Sequence, residues 1–238
     1  MSGHSHWSTI KRKKGAADAK KGAIFTRLAR EITLAAREGG GDPSMNVSLY
    51  LAIDRARSSN MPKDSIERAI KRGTGELGGT QIEEALYEAY GPSGIAILIE
   101  SLTDNRNRAS SEIKGVLNKH GGKQAGSGSV AYLFERKGEI KISSQGKTND
   151  EIELIIIDSG AEDYQKAGSD YLIYSKPEEL AAVRDALAAA GLACESAELV
   201  WQPKTTTALS ETDEAKAIKL LEALDELDDV TNVSSNLG

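Results

Sequence analysis

The chain has 238 residues, 39% hydrophobic and 28% charged with aromatics at 5%, which suits a globular protein with aliphatic cores and excludes a disordered one. A single cysteine, Cys194, excludes an internal disulfide framework, and the longest apolar runs, around Ile95–Ile99 and Leu154–Ile157, are too short to span a bilayer. The net charge of −6 is divided unevenly: residues 1–75 hold 15 Lys and Arg against 7 Asp and Glu, a net of +8, which leaves −14 for the remainder. A basic segment on an acidic body implies a polyanionic partner, most simply nucleic acid, and assigns it to the first third of the chain.

Residues 1–22 are rich in Gly, Ser and Lys and are expected to form a flexible basic arm. No apolar stretch follows its charges, so no secretory signal is expected and the chain reads as cytoplasmic. A helix follows, with Ile24, Leu28, Ile32 and Ala35/Ala36 at helical spacing, and Gly39-Gly40-Gly41 stops it. Arg27, Arg30 and Arg37 project together from its other side. A second helix near Asn46–Ser58 buries Leu49, Ile53 and Ala56, with Arg55 and Arg57 outward or flanking. A third starts at Pro62, with Asp64 and Glu67 near its positive end. Its apolar stripe is Ile66, Ala69 and Ile70, and Arg68, Lys71 and Arg72 share a face near its end. These helices make a domain over residues 23–78, and Gly73–Thr80 reads as a glycine-rich linker.

Beyond the linker the hydrophobic period changes. Ile82–Tyr90 and Ile95–Thr103 read as strands joined by the turn Gly91–Gly94, Asn105–His120 as a helix, and Val130–Phe134 as a strand. This ββαβ series lacks the last helix and strand of a split-βαβ unit. A helix at Glu211–Leu227 and a strand at Val230–Val233 stand alone at the far end of the chain. Between them lie a strand at Ile140–Ser143, a helix at Asn149–Asp158, strands at Ala161–Ala167 and Tyr171–Ser175, a helix at Glu178–Ala190 and a strand at Ala197–Trp201. That is βαββαβ, a complete ferredoxin-like unit. The expected class is therefore α+β: a helical domain, then two ferredoxin-like α/β domains. The orphaned terminal elements favour a discontinuous second domain (79–136 with 204–238) interrupted by an inserted third (137–203), a tandem arrangement being the alternative.

No motif specifies an active site. Gly73-Thr-Gly75-Glu-Leu-Gly78 matches G-x-G-x-x-G, but a helix precedes it where a dinucleotide site needs a strand. Gly146-Lys147-Thr148 lacks the earlier glycine of a phosphate-binding loop and reads as a turn, with Thr148 as a helix cap. His4 and His6 lack the further ligands of a structural zinc site. With His120 the remaining histidine and Cys194 in apolar surroundings, nucleophilic catalysis has little material. Acidic pairs such as Glu83/Glu84 and Asp228/Asp229 read as solvated faces. No cofactor, metal or membrane partner is expected, and the protein is expected not to be an enzyme.

The cations are more informative. Lys11, Arg12, Lys13 and Lys14, with Lys20 and Lys21, lead into helices bearing further basic stripes, and counterion release makes such clusters phosphate-binding. Arg27, Arg30, Arg55, Arg68, Lys71 and Arg72 extend the candidate contacts. Trp7 either stacks on an unpaired base or docks the arm on the helical domain. Asn105, Arg106, Asn107 and Arg108 sit at a strand-to-helix junction. There Arg106 and Arg108 suit a phosphate or a base edge, or equally a capped helix start with ion pairs to Asp104 or Glu112.

Several stretches carry a family likeness: Gly3-His4-Ser5-His6-Trp7 with Ile10-Lys11, Lys20–Glu31, Gly39–Pro43, Asn60–Gly73, Tyr90–Gly94, Leu102–Arg108, Gly121-Gly122 and Gly128-Ser129-Val130. In these the chain resembles the YebC/PmpR family, to which mitochondrial translational activators are related. Order and spacing agree over residues 2–135. Tyr50 departs from the pattern, standing where members usually carry a basic residue. The resemblance implies three domains with the third inserted into the second, no characteristic cofactor, and a cytoplasmic, non-enzymatic regulator. For bacterial members it implies DNA-binding transcriptional regulation; for organellar and some bacterial relatives it implies action in translation on the ribosome, through rRNA. The acidic α/β domains are left with a possible protein partner.

Overall fold

The computed structural model describes residue 7 and residues 21–77, 82–144, 146–168 and 170–238. It contains three helices followed by two four-stranded antiparallel sheets with helices, an α+β fold. The chain separates into two compact units, residues 1–135 with 202–238, and residues 136–201.

The helical part comprises α1 (Lys21–Gly39), α2 (Val47–Ser58) and α3 (Lys63–Gly73). Leu28, Ile32, Ala35, Ala36, Leu49, Ala52, Ile53, Ala56, Met61, Ile66 and Ala69 form one buried cluster. Asn46 caps α2 by accepting from the Leu49 N–H at 3.0 Å, and its amide donates to the Ala35 and Gly40 carbonyls, tying α1 to α2. Gly73 belongs to α3 and does more than open a linker. A Cβ there would run onto the Thr33 carbonyl oxygen and lie 2.7 Å from the Ala36 Cβ. Gly73→Ala is therefore expected to push α1 and α3 apart and cost about 2–3 kcal/mol in urea unfolding. Gly75→Ala has open space but a φ of +85°, and should cost about 1 kcal/mol from backbone strain alone.

The first sheet runs β3-β1-β2-β8, from β1 (Glu83–Tyr90), β2 (Ala96–Thr103), β3 (Lys123–Ala125) and β8 (Val230–Ser235). The terminal strand β8 thus pairs with β2, Ile97 opposite Ser235. Helices α4 (Arg106–Lys119) and, after the second unit, a long helix at Glu211–Asp225 cover one face. Ile95, Ile97 and Ile99 meet Ile113, Leu117, Leu220, Leu221 and Leu224 there. On another face Leu102 joins Leu34 of α1 and Ile82. The expected strand at Val130–Phe134 is instead a 3-10 turn, Ala131–Leu133, and the next strand begins at Phe134.

Glu88 shows why that segment turns. Its buried carboxylate accepts the backbone N–H groups of Gly128, Val130 and Ala131 at 2.6, 2.6 and 2.9 Å, folding the loop over the sheet. Burial pushes the carboxyl pKa up, but the backbone hydrogen bonds outweigh it and the net shift is downward. A lowered folded-state pKa means stability present at neutral pH and lost as pH falls below about 4. Glu88→Ala leaves the buried Val130 donor and two part-buried donors without their acceptor and should cost about 2–3 kcal/mol near pH 7. The gap to wild type, read from denaturant midpoints, should narrow toward pH 3 (a value below about 4).

The second unit holds β4 (Phe134–Ser143), α5 (Asn149–Asp158), β5 (Asp163–Ala167), β6 (Asp170–Ser175), α6 (Leu180–Ala189) and β7 (Cys194–Pro203), the end residues of β4 and β7 lying in the first unit. Its sheet order is β5-β6-β4-β7, the ferredoxin-like arrangement, with Ile140, Ile142, Ile152, Ile156, Ile173, Val183 and Leu187 buried. The helix Glu211–Asp225 is α7.

Candidate nucleic-acid interface

The expected cations divide into a set with acidic partners, in which Arg106 and Arg108 remain exposed, and an exposed set without them among the described residues. Arg27 and Arg30, one turn apart on α1, reach the end of α7 and the segment that follows it to β8. Arg27 donates to the Asp225 carbonyl at 2.5 Å and pairs with its carboxylate at 3.8 Å. Arg30 donates to the Asp228 carbonyl at 2.7 Å and pairs with Asp229 at 2.6 Å. Asp229 also accepts from Thr103 Oγ1 at 2.8 Å and from Arg108 at 2.8 Å. Asp229 is 2% exposed, so the solvated reading of the Asp228/Asp229 pair is corrected at Asp229. Burial raises its pKa, but the hydrogen bonds from Arg108 and Thr103 and the charge of Arg30 hold it below the usual carboxylate range. This carboxylate joins the helical part to the sheet.

The Asn105–Arg108 junction is likewise occupied. Asn105 caps α4 by accepting from the Arg108 N–H. Arg106 pairs with Glu83 at 3.2 Å and donates to the Glu84 carbonyl, and Arg108 bridges Asp104 and Asp229. Of the two ion-pair partners expected at this junction, Asp104 and Glu112, Asp104 is the one that Arg108 meets. Arg55 pairs with Glu31 at 2.9 Å.

Arg68, Lys71 and Arg72 are exposed on α3, with Arg68 Nε donating to the Asp64 carbonyl at 3.3 Å. Lys71 and Arg72 carry no ion pair among the described residues. Arg37 and Arg57, at the ends of α1 and α2, are exposed too. The close approach at Gly73 places a Cβ there 3.2 Å from the Arg37 backbone nitrogen, so the ends of α1 and α3 lie side by side. Arg37 thus joins Lys71 and Arg72 at one end of the bundle. The negative helix ends favour cations there in any case. Met45, Val47 and Tyr50 are exposed on the same helical part. Among the described residues no group of three or more His, Cys, Asp or Glu is placed to hold a metal ion, and no helix is long and apolar enough to cross a membrane.

Lys11, Arg12, Lys13, Lys14 and Lys20 lie outside the described residues; Lys21 opens α1. Trp7 is described and corrects both of its readings. Its ring is 3% exposed within the core formed by Ala89, Ile95, Ile113, Leu221 and Val233, and Nε1 donates to the Val233 carbonyl at 3.0 Å. It docks on the α/β part rather than the helical domain, and a ring so buried is not available to a base.

The model for the TACO1/YebC protein N-terminal domain matches residues 5–76, and that for the TACO1/YebC second and third domain matches residues 82–237. The chain belongs to the TACO1/YebC family. Relatives within the family include a probable transcriptional regulatory protein of Rubrobacter xylanophilus, 49% identical over 99% of this chain and 95% of that protein. Another, of the same description from Fervidobacterium nodosum, is 49% identical over 99% of this chain and 93% of that one. A crystal structure of a conserved hypothetical protein from Aquifex aeolicus superposes with a TM-score of 0.91 at 46% identity, covering 98% of this chain and 97% of that one. The TACO1/YebC likeness therefore extends over the whole fold, including the α1 and α3 surfaces that carry the exposed cations.

Proposed function

We propose that this TACO1/YebC chain is a cytoplasmic nucleic-acid-binding regulator and not an enzyme, and that it acts in transcription, the role its relatives are named for, by binding DNA. The observation that carries the reading is the +8 net charge of residues 1–75, with Arg68, Lys71 and Arg72 exposed on α3. Lys11–Lys14, Lys20 and Lys21 supply the rest of the phosphate contact, and Arg37 reinforces it. Arg27, Arg30 and Arg55 serve instead to hold the fold together, while Arg106 and Arg108 are paired at the surface and stay exposed. The acidic remainder keeps the rest of the molecule off the polyanion by like-charge repulsion.

One observation favours a second reading, binding of rRNA as a translation factor. Exposed Met45, Val47 and Tyr50 beside a basic helical surface suit unpaired bases, which RNA presents in loops and bulges. Cross-linking in cells, followed by sequencing and ribosome fractionation, separates the two. Enrichment at promoter DNA is the expected result for transcriptional regulation; rRNA recovered with ribosomes and no DNA enrichment overturns it in favour of translation.

A further inference from the structure

The apolar run Leu154–Ile157 lies on α5. Ile152 and Ile156 turn inward and are buried, while Leu154 and Ile157 are 63% and 64% exposed. Three residues apart on one helix, they are neighbours on its outward face. Neither serves the core, and Ile157 is a poorer helix former than the Glu or Lys a solvated face would carry. The helix does not need them for its start either, because Thr148 and Glu151 close a capping box there. Asp150, Glu151, Glu153 and Asp158 are the other outward or flanking side chains, and the helix has no Lys or Arg. Asp150 and Asp158 are exposed with no ion pair among the described residues.

An aliphatic pair within an acidic rim has a defined complement. Residues 136–201 hold 7 Lys and Arg against 13 Asp and Glu, a net of −6, so nucleic acid and anionic lipid are repelled from this unit. We infer that the outward face of α5 docks into an apolar groove bordered by lysines and arginines on a partner protein, with Leu154 and Ile157 as anchors. This is helix-in-groove recognition, in which spaced apolar anchors give affinity and rim charges give orientation. The inference is independent of the nucleic-acid reading.

The test uses the full chain and, as a probe offering the same chemistry of an apolar strip bordered by cations, a synthetic amphipathic Leu/Lys peptide of about 18 residues, with a Ser/Lys peptide of equal charge as control. The Leu/Lys peptide should bind at least about tenfold more tightly than the control. Leu154→Ser with Ile157→Ser should lose about tenfold or more of that affinity, whereas Leu199→Ser, elsewhere on the same unit, should leave it unchanged. Both sites are exposed, and an unaltered thermal midpoint confirms folding. A second variant, Asp150→Asn with Asp158→Asn, should weaken binding about threefold and flatten its salt dependence. Equal affinity for the two peptides, or full affinity in the Leu154/Ile157 variant, overturns the inference. So does a concentration-dependent dimer in sedimentation that the same variant dissociates, because the face would then belong to a second copy.

Discussion

Asp229→Ala should destabilise the protein by about 3 kcal/mol, because it removes a buried acceptor of two charge-assisted hydrogen bonds, from Arg30 and Arg108, which themselves stay partly exposed. In the native chain this carboxylate receives Arg30 from α1, Arg108 from α4 and Thr103 from β2. Removing it takes the shared counter-ion from both guanidinium groups, leaving Arg108 with Asp104 and Arg30 with the Asp228 carbonyl, and deprives the Thr103 O–H of its acceptor. Asp229→Asn keeps one acceptor and should lose less. The pH dependence has a definite sign. The folded-state pKa lies below the ordinary value, so the contribution is complete above the unfolded value and disappears as pH falls below about 4. The difference between wild type and Asp229→Ala should therefore be largest near neutrality and shrink in acid. Urea unfolding at a series of pH values measures it, and a pH-independent difference would mean that the carboxylate is not held as described.

Reversing Lys11, Arg12, Lys13 and Lys14 to Glu should reduce nucleic-acid affinity by more than about 100-fold at moderate salt. Each cation on a phosphate releases condensed counterions, and each reversal replaces that gain with repulsion. The internal engagement of Arg27 and Arg30 makes the effect larger, because fewer helix cations remain to compensate. The same division predicts a dissociation of phenotypes. Lys71→Glu with Arg72→Glu should weaken binding and leave the unfolding midpoint nearly unchanged, since both side chains are exposed. Arg30→Ala should do the reverse, lowering stability through Asp229.

Local periodicity was enough to read the α+β class and most helices. Ile66, Ala69 and Ile70 announce α3, and Thr148 announces the start of α5. Contacts between distant segments carry no such signal. Asp229 looks like half of a solvated acidic pair until Arg30, far upstream in sequence, is folded onto it. Arg27 and Arg30 share a stripe, which reads as a phosphate-binding face, yet the same stripe fits two partners on the α7–β8 segment. Gly73 reads as punctuation because the backbone it must admit belongs to α1. The sequence implies separate strands at Val130–Phe134 and Ile140–Ser143 with a domain boundary at 136/137, but β4 runs from Phe134 to Ser143 without interruption. Lys137 pairs with Glu162 at 2.6 Å, Arg136 lies 5.1 Å over the Trp201 ring, and a Cβ at position 138 would meet the Leu180 Cβ at 2.9 Å. Strand β3 was missed because three residues in a glycine-rich stretch hold no alternation to detect.

The central claim is that the basic first third grips phosphate through the arm and the α3 cations. It is tested most directly by the salt dependence of binding to one duplex and one single-stranded probe. Wild type should show a steep linear fall of log affinity with log salt. The Lys11–Lys14 reversal should flatten the slope by about 0.9 for each cation lost on the duplex, or about 0.7 on the single strand, and the Lys71/Arg72 reversal by a smaller amount in the same sense. Slopes and low-salt affinities that match wild type in both variants would contradict the account.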